Sequence, residues 1–266
     1  MLRRRRQLIE LHEQPWMPES LKILFRDNLA WLQKIMGVYK NAAPLVRDWL
    51  DRVGAEGYMD LCSGAGGPAF VLSDALAATG RRPKVRFSDL YPCLERYREY
   101  VRQDPQHFSF ESQPFDAANS TEGQPLRART VLSAFHHFPP PLAHSILADA
   151  VRHADGICIM EPFRRDLWHL INIPLSSDLT LFFPIFSGRR SGLAWLACLM
   201  VPIMWPIMWF DAAVSVLRGY NADELLEMAK KPELADFDWK AGYWKHNLFF
   251  KGTYLIGVRK KVVDLI

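Results

Sequence analysis

Glu56-Gly57-Tyr58-Met59-Asp60-Leu61-Cys62-Ser63-Gly64-Ala65-Gly66-Gly67-Pro68 is the stretch whose reading decides the fold. A short run of strand character ends in an acid, and a glycine-rich turn follows at once. Ala69 to Leu76 then reads as a helix. Glycines at 64, 66 and 67 let the backbone curl tightly and let a ligand approach the main chain closely. The helix beyond the turn presents unpaired N–H groups to that ligand. The glycine spacing is not the dinucleotide fingerprint, and no Gly-Lys-Ser/Thr follows to make a P-loop.

Working outward, Lys84 to Leu90 reads as a second strand that also ends in an acid. Asp89 lies one βαβ unit after Asp60, close to where a nucleotide fold puts the carboxylate that grips a ribose. A carboxylate accepts from both ribose hydroxyls; the alternative is a helix N-cap. The third strand is Phe108 to Glu111, followed by Phe115-Asp116-Ala117. The fourth is Arg129 to Phe135, running into His136-His137-Phe138-Pro139. Ligands of open α/β sheets sit outside the carboxyl ends of the strands, which is where these histidines fall. An unperturbed imidazole titrates near pH ~6.5 and takes a proton from a hydroxyl. Only one of the pair easily faces a pocket, and both also read as structural histidines. Asp155 to Pro162 is a fifth strand, nearly all apolar, as burial on both faces requires. Glu161 at its end either orients a substrate or caps the next segment.

This order of strand ends, from Tyr58 to Arg259, resembles class I S-adenosylmethionine-dependent methyltransferases of the small-molecule type. The segment after strand four lacks the Asn/Asp-Pro-Pro-Tyr signature of enzymes that methylate amino groups of bases or glutamine. Gly67-Pro68 departs locally from the usual turn. The resemblance implies an S-adenosyl-L-methionine site. Asp60 would hold the cofactor's amino group, Gly64, Ala65 and Gly66 its amino-acid end, and Asp89 its ribose. Asp116 and Ala117 would meet the adenine, and Cys62, Leu90 and Ser133 complete the expected contacts. His136 or His137 is the candidate catalytic base. No metal is expected.

The expected fold is α/β: a Rossmann-like, mostly parallel seven-stranded sheet with an antiparallel C-terminal strand, an N-terminal helical cap and an apolar helical insertion after strand five. The corresponding segments are 1–54 (cap), 55–162 (cofactor-binding core), 163–220 (apolar lid insertion) and 221–266 (the rest of the core). The last two strands, near 236–244 and 254–259, form an antiparallel pair joined by a short loop containing Gly252.

Leu21, Leu24, Phe25, Leu29, Leu32, Ile35 and Met36 share one helix face, and a second helix begins near Pro44. These helices are either a packing appendage or a cap that brings Trp16, Met17, Trp31 and Tyr39 to a substrate. With Phe135 and Glu161, Trp16 and Tyr39 are the expected acceptor contacts. Gly192 to Phe210 carries no charge. Pro202 and Pro206 break or kink that run. Strands on both sides of it argue against a single membrane crossing, leaving a lid over a greasy substrate or a peripheral membrane contact through 192–210.

The chain has 266 residues, 49% of them hydrophobic, and a formal charge of +4. That suffices for one large domain with a packed core. Arg3 to Arg6 form a basic run that is either a solvated tail or a touch-point for anionic lipid or nucleic acid. No basic and aromatic cluster elsewhere supports nucleic acid as a partner. The four cysteines are widely spaced and the basic start leads into no apolar run, which fits a reduced, cytoplasmic setting. The expected function is methyl transfer to a small apolar or aromatic acceptor, with O-methylation favoured. The alternative is a non-methylating, cofactor-binding member that docks a membrane or protein through the apolar insertion.

Overall fold

A computed structural model describes residues 4–120, 126–176 and 192–260, with side chains for all of these except 23, 24 and 192–204. Residues 177–191 of the expected insertion lie outside the described residues. Seven strands form one sheet: β1 (Gly57–Leu61), β2 (Lys84–Phe87), β3 (Phe108–Phe110), β4 (Ala128–Leu132), β5 (Gly156–Glu161), β6 (Phe237–Lys245) and β7 (Lys251–Arg259). Their spatial order is β3-β2-β1-β4-β5-β7-β6. β1 to β5 pair in parallel, and β7 runs antiparallel to both β5 and β6. The strand order reverses between β1 and β4, which opens a crevice at their carboxyl ends.

β1, β4 and β5 are buried at every position, as central parallel strands are when both faces are covered. Alternate residues feed opposite layers. Tyr58, Cys158 and Met160 pack with Trp49, Leu50 and Leu72 on one side. Met59, Ile157 and Ile159 pack with Phe135, Leu147 and Tyr220 on the other. Among the described residues the α-helices are α1 (Glu19–Ile35), α2 (Ala43–Val53), α3 (Gly67–Ala77), α4 (Leu94–Gln103), α5 (Pro140–His153), α6 (Leu167–Ser176), α7 (Gly192–Arg218) and α8 (Ala222–Ala229).

The structure favours one open alternative, the packing helix, and revises three local expectations. α2 packs on the sheet: Val46, Trp49 and Leu50 are buried, and Trp49 Nε1 donates to the Gly257 carbonyl at 3.2 Å. β4 stops at Leu132, because Ser133 turns to φ +55° and a 3₁₀ turn takes Phe135–His137. The β6–β7 loop is 246–250, and Gly252 lies inside β7. α7 runs unbroken from Gly192 to Arg218 through Pro202 and Pro206. Among the described residues, no helix is both long and apolar enough to cross a membrane.

Gly67 has a packing reason. A β-carbon there would lie 2.4 Å from the Ala30 β-carbon, so α1 can cross the start of α3 only if residue 67 has no side chain.

One buried ion pair ties β4 to α5. Arg129 Nη1 lies 2.6 Å from Asp149 Oδ2, and Ser120 bonds both partners. Both charges are sealed from water. Arg129→Ala strands the carboxylate and is expected to cost about 3–5 kcal/mol in urea unfolding. Arg129→Met with Asp149→Leu should recover most of that loss, because the apolar pair leaves no buried charge alone.

Candidate active site

Two adjoining spaces lie at the carboxyl edge of the sheet. The larger is a groove of ≈990 Å³ along the ends of β1, β2 and β4. Its wall includes Cys62, Ser63, Gly64, Ala65, Asp89, Leu90, Phe115, Asp116, Ala117 and Ser133. The smaller is an apolar cavity of ≈140 Å³ lined by Phe25, Leu32, Met36, Phe163, Ile173, Met208 and Phe250, among others. His12, Leu29, Ser133 and His137 line both.

The glycine turn is built for close approach. Gly64 and Gly66 have φ of +55° and +79°, and a β-carbon on Gly64 would meet nothing within 4 Å. Gly66 turns away, toward Phe87 and Tyr100. Cys62 and Ser133 also have φ near +55°, though neither is glycine. Each ends a central strand, and backbone strain at paired strand ends is where ligand clamps cluster.

Asp89 braces this turn. Its Oδ2 accepts from the Gly64 N–H at 2.7 Å and its Oδ1 from the Tyr91 N–H at 2.8 Å. Asp116 Oδ1 accepts from the Ala118 N–H at 2.9 Å, and the residue stays exposed to the groove. Asp60 sits beneath the groove rather than in its wall. It accepts from Thr130 Oγ1 at 2.6 Å and Ser63 Oγ at 2.7 Å. Burial raises its pKa to about 7, against the two hydroxyls that favour its charge.

The four expected acceptor contacts do not line either space. Trp16 is 63% exposed. Tyr39 is fully buried and meets Ser133 Oγ at 2.8 Å. Phe135 packs between Phe138 and Tyr220 in the core. Glu161 holds His136, accepting from its backbone N–H at 3.1 Å with Nδ1 2.8 Å away.

The two histidines have opposite environments. His136 is buried between Glu161 and Glu10, whose Oε1 lies 3.6 Å from Nε2. Burial alone would lower its pKa, but the two carboxylates outweigh burial and raise it to about 9. His137 has its Nδ1 2.6 Å from Glu13 Oε1. Burial and the charge of His136 push its pKa below the usual value, against Glu10 and Glu13. It is therefore the neutral member at pH 7.

The sequence reading missed the residues that complete this cluster. Glu10 is buried and accepts from Ser215 Oγ at 2.7 Å. Arg218 Nη1 lies 3.3 Å from Glu10 and 3.4 Å from Glu13. Asp211 accepts the backbone N–H groups of Leu11 and His12 at 2.7 and 2.9 Å. Glu10, His136 and His137 converge within 4.8 Å, a spacing a divalent ion can use. Arg218 supplies the positive charge beside the same carboxylates, so the set reads as an ion-pair network. A signal for part of it was present. Asp211, Ser215 and Arg218 follow an uncharged run at four- and three-residue steps, which is one helix face. Nothing in the spacing marks Glu10 or Glu13.

The basic run is not simply a solvated tail. Arg5 donates to the carbonyls of His136 and Phe138 at 2.8 and 2.9 Å and sits 4.3 Å from the Tyr220 ring centre.

No protein-family model matches the sequence, and no curated protein matches it. Solved structures match in fold. The plantazolicin methyltransferase BpumL in complex with SAH aligns with a TM-score of 0.54 at 8% identity, over 91% of this chain and 90% of its own. TnmH gives 0.51 at 15% identity, over 94% and 64%. The mitomycin 7-O-methyltransferase MmcR gives 0.50 at 12%, over 94% and 59%. The likeness is one of fold: this chain has the α/β fold of class I methyltransferases.

The His136 environment has a measurable signature. A histidine with a raised folded pKa adds stability that is complete below its unfolded value of ~6.5 and is lost as pH rises through about 9. The gap in unfolding free energy between wild type and His136→Gln is expected to shrink across that window in urea titrations. A gap that widens with pH would show that His136 is not held as a cation.

Proposed function

We propose that this protein is an S-adenosylmethionine-dependent methyltransferase acting on a hydroxyl of a small, apolar acceptor. The observation that carries this reading is the shared wall. A wide groove with a glycine turn and two carboxylates opens onto a small apolar cavity, and Ser133 and His137 belong to both. A cavity of ≈140 Å³ matches the roughly 150 Å³ that holds benzene. A single aromatic ring would fit that space.

The residues present fit the cofactor. Gly64 leaves space for close approach, and Asp89 keeps unused lone pairs at the groove wall. Asp89 would take the ribose hydroxyls, Asp116 and Ala117 the adenine, and Gly64, Ala65 and Cys62 the amino-acid end. A cationic amino group above Asp60 would favour its ionised form. When bound, the cofactor supplies a methyl group already activated on a sulfonium.

The protein's part is to align the acceptor, exclude water and receive its proton. His137 is the base in this reading, because it is neutral at pH 7 and lines both spaces. Glu13, whose Oε1 lies 2.6 Å from Nδ1, would stabilise the imidazolium that forms when the ring takes the proton. His136 is already charged and positions the cluster instead. Glu161 acts through His136.

Calorimetry with S-adenosylmethionine tests the cofactor site. Asp89→Ala is expected to weaken binding roughly ten- to hundredfold. Asp89→Asn, which still accepts from Gly64, should lose less. Unchanged affinity in both would remove Asp89 from the site. For the base, His137→Ala should lower kcat about 10²–10⁴-fold with cofactor affinity retained. A panel of single-ring and multi-ring phenols with labelled methyl donor tests the acceptor. Tight cofactor binding with no label transferred to these or to any cell-extract component would favour the non-methylating alternative.

A further inference from the structure

An exposed apolar surface also lies outside the uncharged run of 192–210. Leu167, Trp168, Ile171 and Leu175 form an exposed stripe along α6. The tip of the β6–β7 loop lies against it. The rings of Trp168 and Phe249 stack at 6.5 Å, and the Lys251 N–H donates to His169 Nε2 at 3.0 Å. At that tip Leu248 is 91% exposed and Phe249 64%. A protruding pair of large apolar side chains next to an apolar helix face is costly in water and marks a contact.

The charges around it identify the contact. α6 carries no charged residue, and Trp239 to Lys260 holds no acid. Lys245 and Lys251 pair across the base of the hairpin tip. Lys40 is exposed beside it, where Asn41 donates to the His246 carbonyl at 2.7 Å. Apolar and aromatic side chains shouldered by lysines match the layered chemistry of an anionic bilayer surface, and the carboxylate at the start of α6, Asp166, is buried against His169 and Arg164. Aromatic rings favour the headgroup level, and lysine stems reach back to phosphate. The same two elements line the apolar cavity from behind, through Ile173 and Phe250.

We propose that α6 and the β6–β7 tip dock this protein on an anionic lipid surface, with Leu248 and Phe249 entering the interface and Lys245 and Lys251 on the headgroups. The proposal does not depend on methyl transfer, and its test uses no cofactor.

The test is co-sedimentation of the full chain with vesicles of phosphatidylcholine alone and of phosphatidylcholine with phosphatidylglycerol. Wild type is expected to sediment with the anionic vesicles, and added salt should release it. Leu248→Glu with Phe249→Glu should lower the partition coefficient by about tenfold or more. Lys245→Glu with Lys251→Glu should lower it for anionic vesicles only. Matching thermal melting curves show that the variants fold; the milder Leu248→Ser serves if the double tip variant does not. Wild type left in the supernatant with both vesicles overturns the proposal, as does a folded tip variant that binds as wild type does. A dimer in solution that the tip variant dissociates would also overturn it, assigning the surface to a second copy of this chain.

Discussion

Charges cannot be left alone inside a protein, and here that rule holds four distant parts of the chain together. Glu10 and Glu13 come from the N-terminal segment, His136 and His137 from the end of β4, Glu161 from the end of β5, and Asp211, Ser215 and Arg218 from α7. An isolated ionised group away from water costs many kcal/mol, so the buried charges among them, Glu10, His136, Glu161, Asp211 and Arg218, are stable only while their partners stay in place. Glu10 shows the balance. Burial pushes its pKa up, yet His136, His137 and His12 hold it well below the usual carboxylate range. The network fixes where the first residues of the chain, the sheet edge and the apolar helix meet, and so fixes the wall between groove and cavity.

The sheet itself depends on an independent feature, the reversal of strand order between β1 and β4. At that point Asp60 bonds across to Thr130, joining the two strand ends with one short contact of 2.6 Å. The groove follows from this topology. The cavity does not; it follows from α1, α6 and α7 closing over the edge. Cofactor-type chemistry and acceptor-type chemistry thus rest on different parts of the molecule, which is why α/β folds of one kind serve many substrates.

The sequence carried the first of these and little of the second. Strand-end acids, the glycine turn and the run of buried apolar strands are local patterns; they pointed to Asp89, and the resemblance they carry pointed to Asp116, Ala117 and Ser133, all of which line the groove. Acceptor residues carry no such pattern. Tyr39 counted as a pocket residue only if the N-terminal helices capped the site, and both it and Phe135 are core side chains, as aromatic residues commonly are. Glu10 and Glu13 lie in an irregular segment, where no periodicity indicates which side chains turn inward. The two histidines could be identified as a pair, but only their separate neighbours tell the cation from the neutral ring.

The N-terminal segment has a consequence for how this molecule is handled. Ahead of α1 the backbone is tied down by its own groups: the Arg6 N–H donates to the Leu217 carbonyl at 3.0 Å, and the Gln7 side chain donates to His137 at 3.0 Å. Those dozen or so residues look dispensable, since they belong to no helix or strand. A protease that clipped them would spare the sheet and its hydrophobic layers. It would also strip Glu10 and Glu13 from His137 and Arg218 and leave His136 with Glu161 alone, an intact scaffold around a disarmed centre.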